Sequence, residues 1–350
     1  MADRINWIDW SKAIAVCTVV FCHLPQPTEQ FYFRYLQAGI ITIFFFVSGY
    51  LKKDRGSIRA NWRKYWYGLI LPYLFYNLVF LPYWVVRFYI EQGAMPTMAD
   101  IMCPVIGALL FEHSSSFCEP LNGPLWYVPA ILILHVMTDC FHKSRYRYLI
   151  MALLCVVSFF LYYVYRHFPE HYSLTPMGLV RRLPYYYLGY VMASKMHHPQ
   201  SIMPNRFRPL SARPIVNGAL CMMCFALSIL FFYWHIHESR LLPHIALFYP
   251  FNLCFLFTII YASKLTGNYA PQWIVNLSVG TLAIIGLHWM VMGFFSHALF
   301  PLIGIPWTVG MTWYEALLMT ALIVAVIYPV IVIGKRYLPV LIGKGERVKK

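Results

Sequence analysis

The sequence predicts an all-α polytopic integral membrane protein, and three observations predict it. The first is composition: 60% of the 350 residues are hydrophobic, only 12% are charged, and the mean hydropathy is +0.58. A soluble domain of this length does not carry that balance. The second is that apolar runs long enough to cross a bilayer recur about ten times. The third is the alternation of basic residues between those runs, because cytoplasmic loops collect Lys and Arg while translocated loops do not. With the N-terminus inside, 22 of the 28 basic residues fall on the inner side, and Arg34, Arg87, Arg166, Arg181, Arg182 and Arg240 remain outside. Both termini are therefore expected in the cytoplasm. The formal charge of +15 then reflects topology and membrane lipids with anionic headgroups, and no nucleic-acid partner is expected.

In chain order the expected spans are 6–24, 36–51, 66–88, 124–141, 147–165, 178–196, 214–234, 244–263, 277–298 and 313–334. The first lacks a small-residue cleavage site and carries polar residues, so it is expected to stay as a membrane helix. The second is short and merges into a basic flank. The outer segment 91–123 holds Glu91, Asp100, Glu112 and Glu119 with no Lys or Arg. Its apolar part IMCPVIGALLF is expected to fold back as a short re-entrant piece. The Pro-rich, basic inner loop that contains His197 and His198 reads as a solvated connector. Residues 1–350 are expected to form a single transmembrane domain with no repeat and no appended soluble module.

Nine cysteines lie mostly within spans, where a thiol is an ordinary small packing residue. Cys221 and Cys224 form a CxxC inside a helix with nothing nearby to complete a metal site, and no metal is expected. Cys103 and Cys118 share the outer segment and become disulfide candidates if that side is oxidising.

Three polar residues in the first span carry the functional argument: Asp9, Lys12 and His23. An ionisable group at mid-bilayer costs roughly 2.5–3.5 kcal/mol on insertion scales, so one that is kept faces a protein interior or an aqueous cavity. Lys12 and His23 are eleven residues apart, which puts them on one helix face with roughly 16 Å between them along the axis. Asp9 shares that face and is placed to pair with Lys12.

Together with three further patterns, this helix resembles the membrane acyltransferase 3 family. A basic residue, ten intervening positions and a histidine match the family signature, with Lys12 where Arg is more common. Lys keeps the charge and lacks the planar fork of Arg. IFFFVSGYLKK at 43–53, with Ser48 and Gly49 at its inner end, looks like the family's second helix. The basic stretch with Arg59, Arg63 and Lys64 precedes LILPY, where many members carry paired arginines; here the second arginine is replaced by YGLI. NGPLWYVPA at 122–130 and LSVGTLAIIGLHWMV at 277–291 resemble later family segments.

The resemblance implies transfer of an acyl group, commonly acetyl, from acyl-CoA made in the cytoplasm to a sugar hydroxyl of an envelope polysaccharide or glycolipid. No permanently bound cofactor is implied, and the location is the bacterial cytoplasmic membrane. His23 is then the base for the acceptor hydroxyl, and Lys12 lines the path of the thioester, oriented by Asp9. Arg63, Lys64 and Ser48 are donor-binding candidates. Trp126, Tyr127 and His288 are cavity or acceptor candidates, although the two aromatics also suit an interfacial belt and His288 an interhelical hydrogen bond. Direct transfer and a two-step covalent route both remain open, and the oxyanion donor has no candidate. A transporter or flippase is the alternative that buried charges also fit. No internal repeat of the kind common in transporters is visible.

Overall fold

In the computed structural model the described residues are 4–52, 58–111, 120–167, 174–196, 214–266, 269–304 and 310–343. Among them every regular element is a helix. In order these are α1 (Asn6–His23), α2 (Phe31–Gly39), α3 (Ile41–Tyr50), α4 (Ile58–Tyr65), α5 (Leu71–Gln92), α6 (Met98–Leu109) and α7 (Tyr127–Phe141). There follow α8 (Arg147–His167), α9 (Leu174–Met196), α10 (Pro214–His237), α11 (Leu241–Leu265), α12 (Gln272–Val279), α13 (Thr281–Phe294), α14 (Phe300–Leu302) and α15 (Trp313–Tyr337). His197, His198 and Cys118 lie outside the described residues.

Eight helices are long and apolar enough to cross a membrane among the described residues. The first and sixth expected spans, α1 and α9, are also continuous helices, of 18 and 23 residues. Asp9 and Lys12 in one, and Arg181, Arg182 and Lys195 in the other, keep them outside that apolar set. The second and third spans begin earlier than expected, at Phe31 and Asn61, and the third runs to Gln92. Residues 98–109 form a 12-residue helix, about 18 Å long and too short to cross. Met98, Met102, Ile106 and Leu109 leave an exposed apolar stripe along it. Its start is fixed by a capping box in which the Thr97 hydroxyl and amide both donate to Asp100, at 2.6 and 2.8 Å. Those two bonds hold the Asp100 carboxyl below its usual range.

Two π-turns interrupt the helices, at Trp66–Ile70 and Phe295–Leu299. Each has a proline, Pro72 or Pro301, whose clash with the carbonyl four residues back falls at Gly68 or His297, in the middle of the turn. A proline in a helix removes one hydrogen bond and collides with that carbonyl. The wider turn accommodates both, with Leu71 N–H and Phe300 N–H reaching back five residues to the Trp66 and Phe295 carbonyls.

The chain divides into two compact units: Met1–Cys22, Gln26–Lys53 and Arg182–Ser278, and His23–Pro25, Asp54–Arg181 and Val279–Lys350. In the first unit α10 and α11 form an antiparallel hairpin on which α2 and α3 pack. Tyr35, Phe232, Phe251 and Phe255 interlock at ring separations of 4.9–6.0 Å. Polar pairs pin the helices together: Tyr35 with Ser228 at 2.6 Å, Thr42 to Asn252 at 2.6 Å and Ser11 to Ser263 at 2.9 Å. Such bonds substitute for a hydrophobic drive that lipid does not supply. At the hairpin turn His235 and His244 stack at 3.9 Å, and each Nδ1 lies 2.8 Å from the other's backbone carbonyl.

In the second unit α13 is the central helix. Its glycines let neighbours close in: a Cβ at Gly286 would strike the Tyr76 ring on α5, and one at Gly293 would lie 2.0 Å from the Tyr83 hydroxyl. The Gly286 carbonyl accepts a hydrogen bond from the Asn122 amide at 2.9 Å.

Candidate functional site

His23 is the last residue of α1 because Pro25 follows. The residue before a proline is pushed out of the helical region, so the helix stops ahead of Leu24. The Pro25 carbonyl then accepts from the Gly310 and Met311 amides at 2.9 and 2.8 Å, which fixes the chain just past the imidazole. The His23 ring lies 4.9 Å from that of His288 and 5.7 Å from that of Trp289.

His23 opens onto a cleft of about 280 Å³. One wall is α5, where Tyr83, Arg87 and Glu91 recur every four residues along one face. The other is α13 with its π-turn, which supplies Trp289, Gly293, Ser296 and His297. Arg87 Nε donates to Glu91 at 2.8 Å, so these two charges cancel locally. The sequence did carry this signal, as the i, i+4, i+8 spacing of Tyr83, Arg87 and Glu91. Charges at the outer end of a span ordinarily mark its boundary, so that spacing does not stand out from the sequence.

His288 is buried and lies behind this wall. Its Nδ1 is 3.0 and 2.9 Å from the Ile284 and Ile285 carbonyls. A carbonyl only accepts, so the neutral ring carries its proton on Nδ1 and leaves Nε2 as an acceptor. That Nε2 and the neighbouring Trp289 indole N–H are both buried with no hydrogen-bond partner among the described residues. Each such orphan costs about 1–3 kcal/mol, which makes the pair conspicuous on a helix that otherwise packs well.

The first unit holds the other polar residues of α1. Asp9 does not pair with Lys12 as expected. Its carboxylate is gripped by the Arg4 guanidinium, with Nη2 to Oδ1 at 2.9 Å and Nε to Oδ2, and accepts from the Ser278 hydroxyl at 2.6 Å. Arg4 wins because its planar fork matches a carboxylate on two parallel bonds, a geometry that an ammonium lacks. Lys12 is half-buried and feels both the Asp9 and Arg4 charges without forming an ion pair with Asp9.

The basic stretch folds as α4. Asn61 and Tyr65 occupy one face and donate to the buried Asp139 carboxylate of α7 at 3.0 and 2.5 Å. Arg59 and Arg63 fall on the opposite face, exposed together with Lys64. Asp139, which sequence reasoning missed, thus sets the orientation of the basic face. His135 stacks on the Tyr65 ring at 5.6 Å. Replacing Asp139 by alanine removes the carboxylate that accepts from two buried donors, and we expect a loss of about 3–5 kcal/mol, read as a lowered unfolding midpoint in detergent.

The remaining candidates are placed as follows. Ser48 is half-buried beside Gly49, where α3 and α9 meet backbone to backbone. Trp126 fills the space left by Gly178, and Tyr127 is buried; neither lines the cleft at His23. Cys103 is disulfide-bonded, Cys221 and Cys224 are free, and no metal-binding cluster occurs among the described residues.

Neither a curated protein nor a solved structure matches the chain. The profile of one family, described as an acyltransferase domain, matches residues 5–332, nearly the whole chain. The chain belongs to this acyltransferase family and is a multi-pass membrane acyltransferase.

Proposed function

We propose that the protein is an O-acetyltransferase of the bacterial cytoplasmic membrane, moving an acetyl group from cytoplasmic acetyl-CoA to a sugar hydroxyl of an envelope polysaccharide or glycolipid. The observation that carries this reading is His23 on the wall of an open cleft with aromatic and hydrogen-bonding groups. Tyr83 and Trp289 offer flat apolar surface, and Ser296, His297 and the self-neutralised Arg87 and Glu91 offer hydrogen bonds. An uncharged polyhydroxylated ring suits such a lining.

His23 takes the proton of the acceptor hydroxyl, a task for which imidazole suits neutral pH. Lys12, on the same helix, lines the approach of the thioester, and the Arg4, Asp9 and Ser278 cluster holds that part of α1 in place. Arg59, Arg63 and Lys64 on the exposed face of α4 bind the CoA phosphates, and Ser48 is a further donor-binding residue.

The test is CoA release and label transfer from radiolabelled acetyl-CoA in proteoliposomes supplied with an envelope glycan extract. Wild-type protein is expected to move label into glycan with stoichiometric CoA release. The Arg63→Gln, Lys64→Gln double variant is expected to raise the KM for acetyl-CoA by about ten-fold or more with little change in kcat, as lost charge-assisted hydrogen bonds do. An unchanged KM removes α4 from donor binding.

A further inference from the structure

The exposed apolar stripe of α6 needs a covering, and the way α6 packs on α5 identifies it. Ile101 and Val105 lie against the cluster that contains Phe80 and Trp84. Farther along α6, the Tyr73 hydroxyl donates to the Ala108 carbonyl at 2.7 Å, and the Phe111 ring lies 5.3 Å from that of Tyr73 and packs beside Ile70. Later residues of α6 thus meet earlier residues of α5, so the two helices run antiparallel. The helix that contains α5, Asn61–Gln92, is long and apolar enough to cross a membrane, and the charged pair Arg87 and Glu91 stands near its outer end. α6 therefore descends from that end, which puts Ala108 about 12 Å deeper than Asp100 at 1.5 Å per residue. The ends of α6 fit those depths. Charge is kept at the outer end, where Asp100 closes the capping box. At the inner end the last carbonyls have to find donors within the protein, because hydrocarbon offers none. The Ile106 carbonyl accepts from the Leu110 amide at 2.9 Å, and the Ala108 carbonyl accepts from the Phe111 amide at 3.3 Å as well as from Tyr73.

We propose that α6 is a re-entrant helix whose outward stripe is covered by the acyl chains of membrane lipid. Met98, Met102, Ile106 and Leu109 are 73, 44, 41 and 59% exposed and follow one another on a single helix face. Composition selects lipid over a second copy of the chain. Helix interfaces within membranes use small residues that let backbones approach, and α6 keeps its small residues Gly107 and Ala108 on the buried side. The outward stripe holds only long side chains, which suit fluid acyl chains and give a partner helix no close approach. The placement also gives α6 a task. Its inward side backs the cluster against which Tyr83 and Trp289 of the His23 cleft pack, so α6 separates lipid from one wall of that cleft.

The experiment places the photoreactive side chain benzoylphenylalanine at 102 or 106 of the full chain, and at the exposed loop residue Thr28 as an aqueous control. Each protein is irradiated in vesicles of phosphatidylethanolamine and phosphatidylglycerol, and adducts are read by mass spectrometry. Phospholipid adducts at 102 and 106, several-fold more abundant than at 28, are the expected result. A covalent protein dimer in place of those adducts overturns the lipid assignment in favour of a second copy. Adducts no more abundant than at 28 overturn it in favour of water. A second measurement does not depend on a bulky probe: Met98→Lys and Ile106→Lys are compared for recovery of folded protein. A lysine at 98 reaches the headgroups, whereas one at 106 starts about 12 Å deeper, where a charge is costly. Recovery is therefore expected to fall several-fold further for Ile106→Lys, and equal recovery of the two overturns the re-entrant placement. None of these readouts uses acyl transfer, so their failure leaves the catalytic reading standing.

Discussion

Replacing His23 by alanine is expected to lower acetyl transfer by about 10²–10⁴-fold, the span that a positioned general base contributes, while acetyl-CoA still binds. Alanine propagates the last turn of α1 as well as histidine does, and the Pro25 carbonyl still receives the Gly310 and Met311 amides. The change therefore removes the imidazole and leaves its setting. Binding of acetyl-CoA measured beside the transfer rate separates a lost base from a lost fold. Retained transfer would end the base assignment.

The second large effect is expected far from that chemistry. A Cβ at Gly49 would sit 1.9 Å from the Tyr186 carbonyl oxygen, and one at Gly189 would sit 2.1 Å from the Phe46 carbonyl oxygen. Each obstruction is backbone, which has no rotamer to change. Gly49→Ala must therefore force α3 and α9 apart along their length, breaking packing around Tyr186 and Phe46, both fully buried. We expect a loss of about 3 kcal/mol or more, at the upper end for overpacking, seen as poor recovery of folded protein and a lowered unfolding midpoint. Ser48→Ala, one residue away, is expected to change stability by less than about 1 kcal/mol. A Gly49→Ala protein as stable as wild type would show that the helices do not meet there.

How much of this was legible follows from what each signal depends on. The spans are set by hydrophobicity summed over some twenty residues, so all ten expected spans correspond to helices even where an end moved. The Ser-Gly pair stands out in the sequence, and Gly49 is a place of close approach, but its partner Gly189 lies 140 residues on and no local pattern joins them. Asp9 was legible as a buried carboxylate needing a cation. The choice between Lys12 and Arg4 turned on guanidinium geometry and on Ser278, reached only by folding. Asp139 was invisible because one acid near a helix end is common; Asn61 and Tyr65 become its donors only once α4 lies against α7. The orphan atoms on α13 were equally beyond reach, since the satisfaction of a polar atom belongs to its neighbours and not to its own position in the chain.

The π-turn at Trp66–Ile70 has a consequence for how the third span can change. An α-helix couples its ends rigidly, each residue adding about 100° of rotation, so the facing of one end dictates that of the other. A π-turn holds one residue more per turn and offsets that phase. The angle between the side of α4 that displays Arg59 and Arg63 and the side of α5 that displays Tyr83, Arg87 and Glu91 is thereby set by the π-turn. Removing its extra residue would rotate one face against the other by about 100°, so the relative facing of the two halves depends on that one turn.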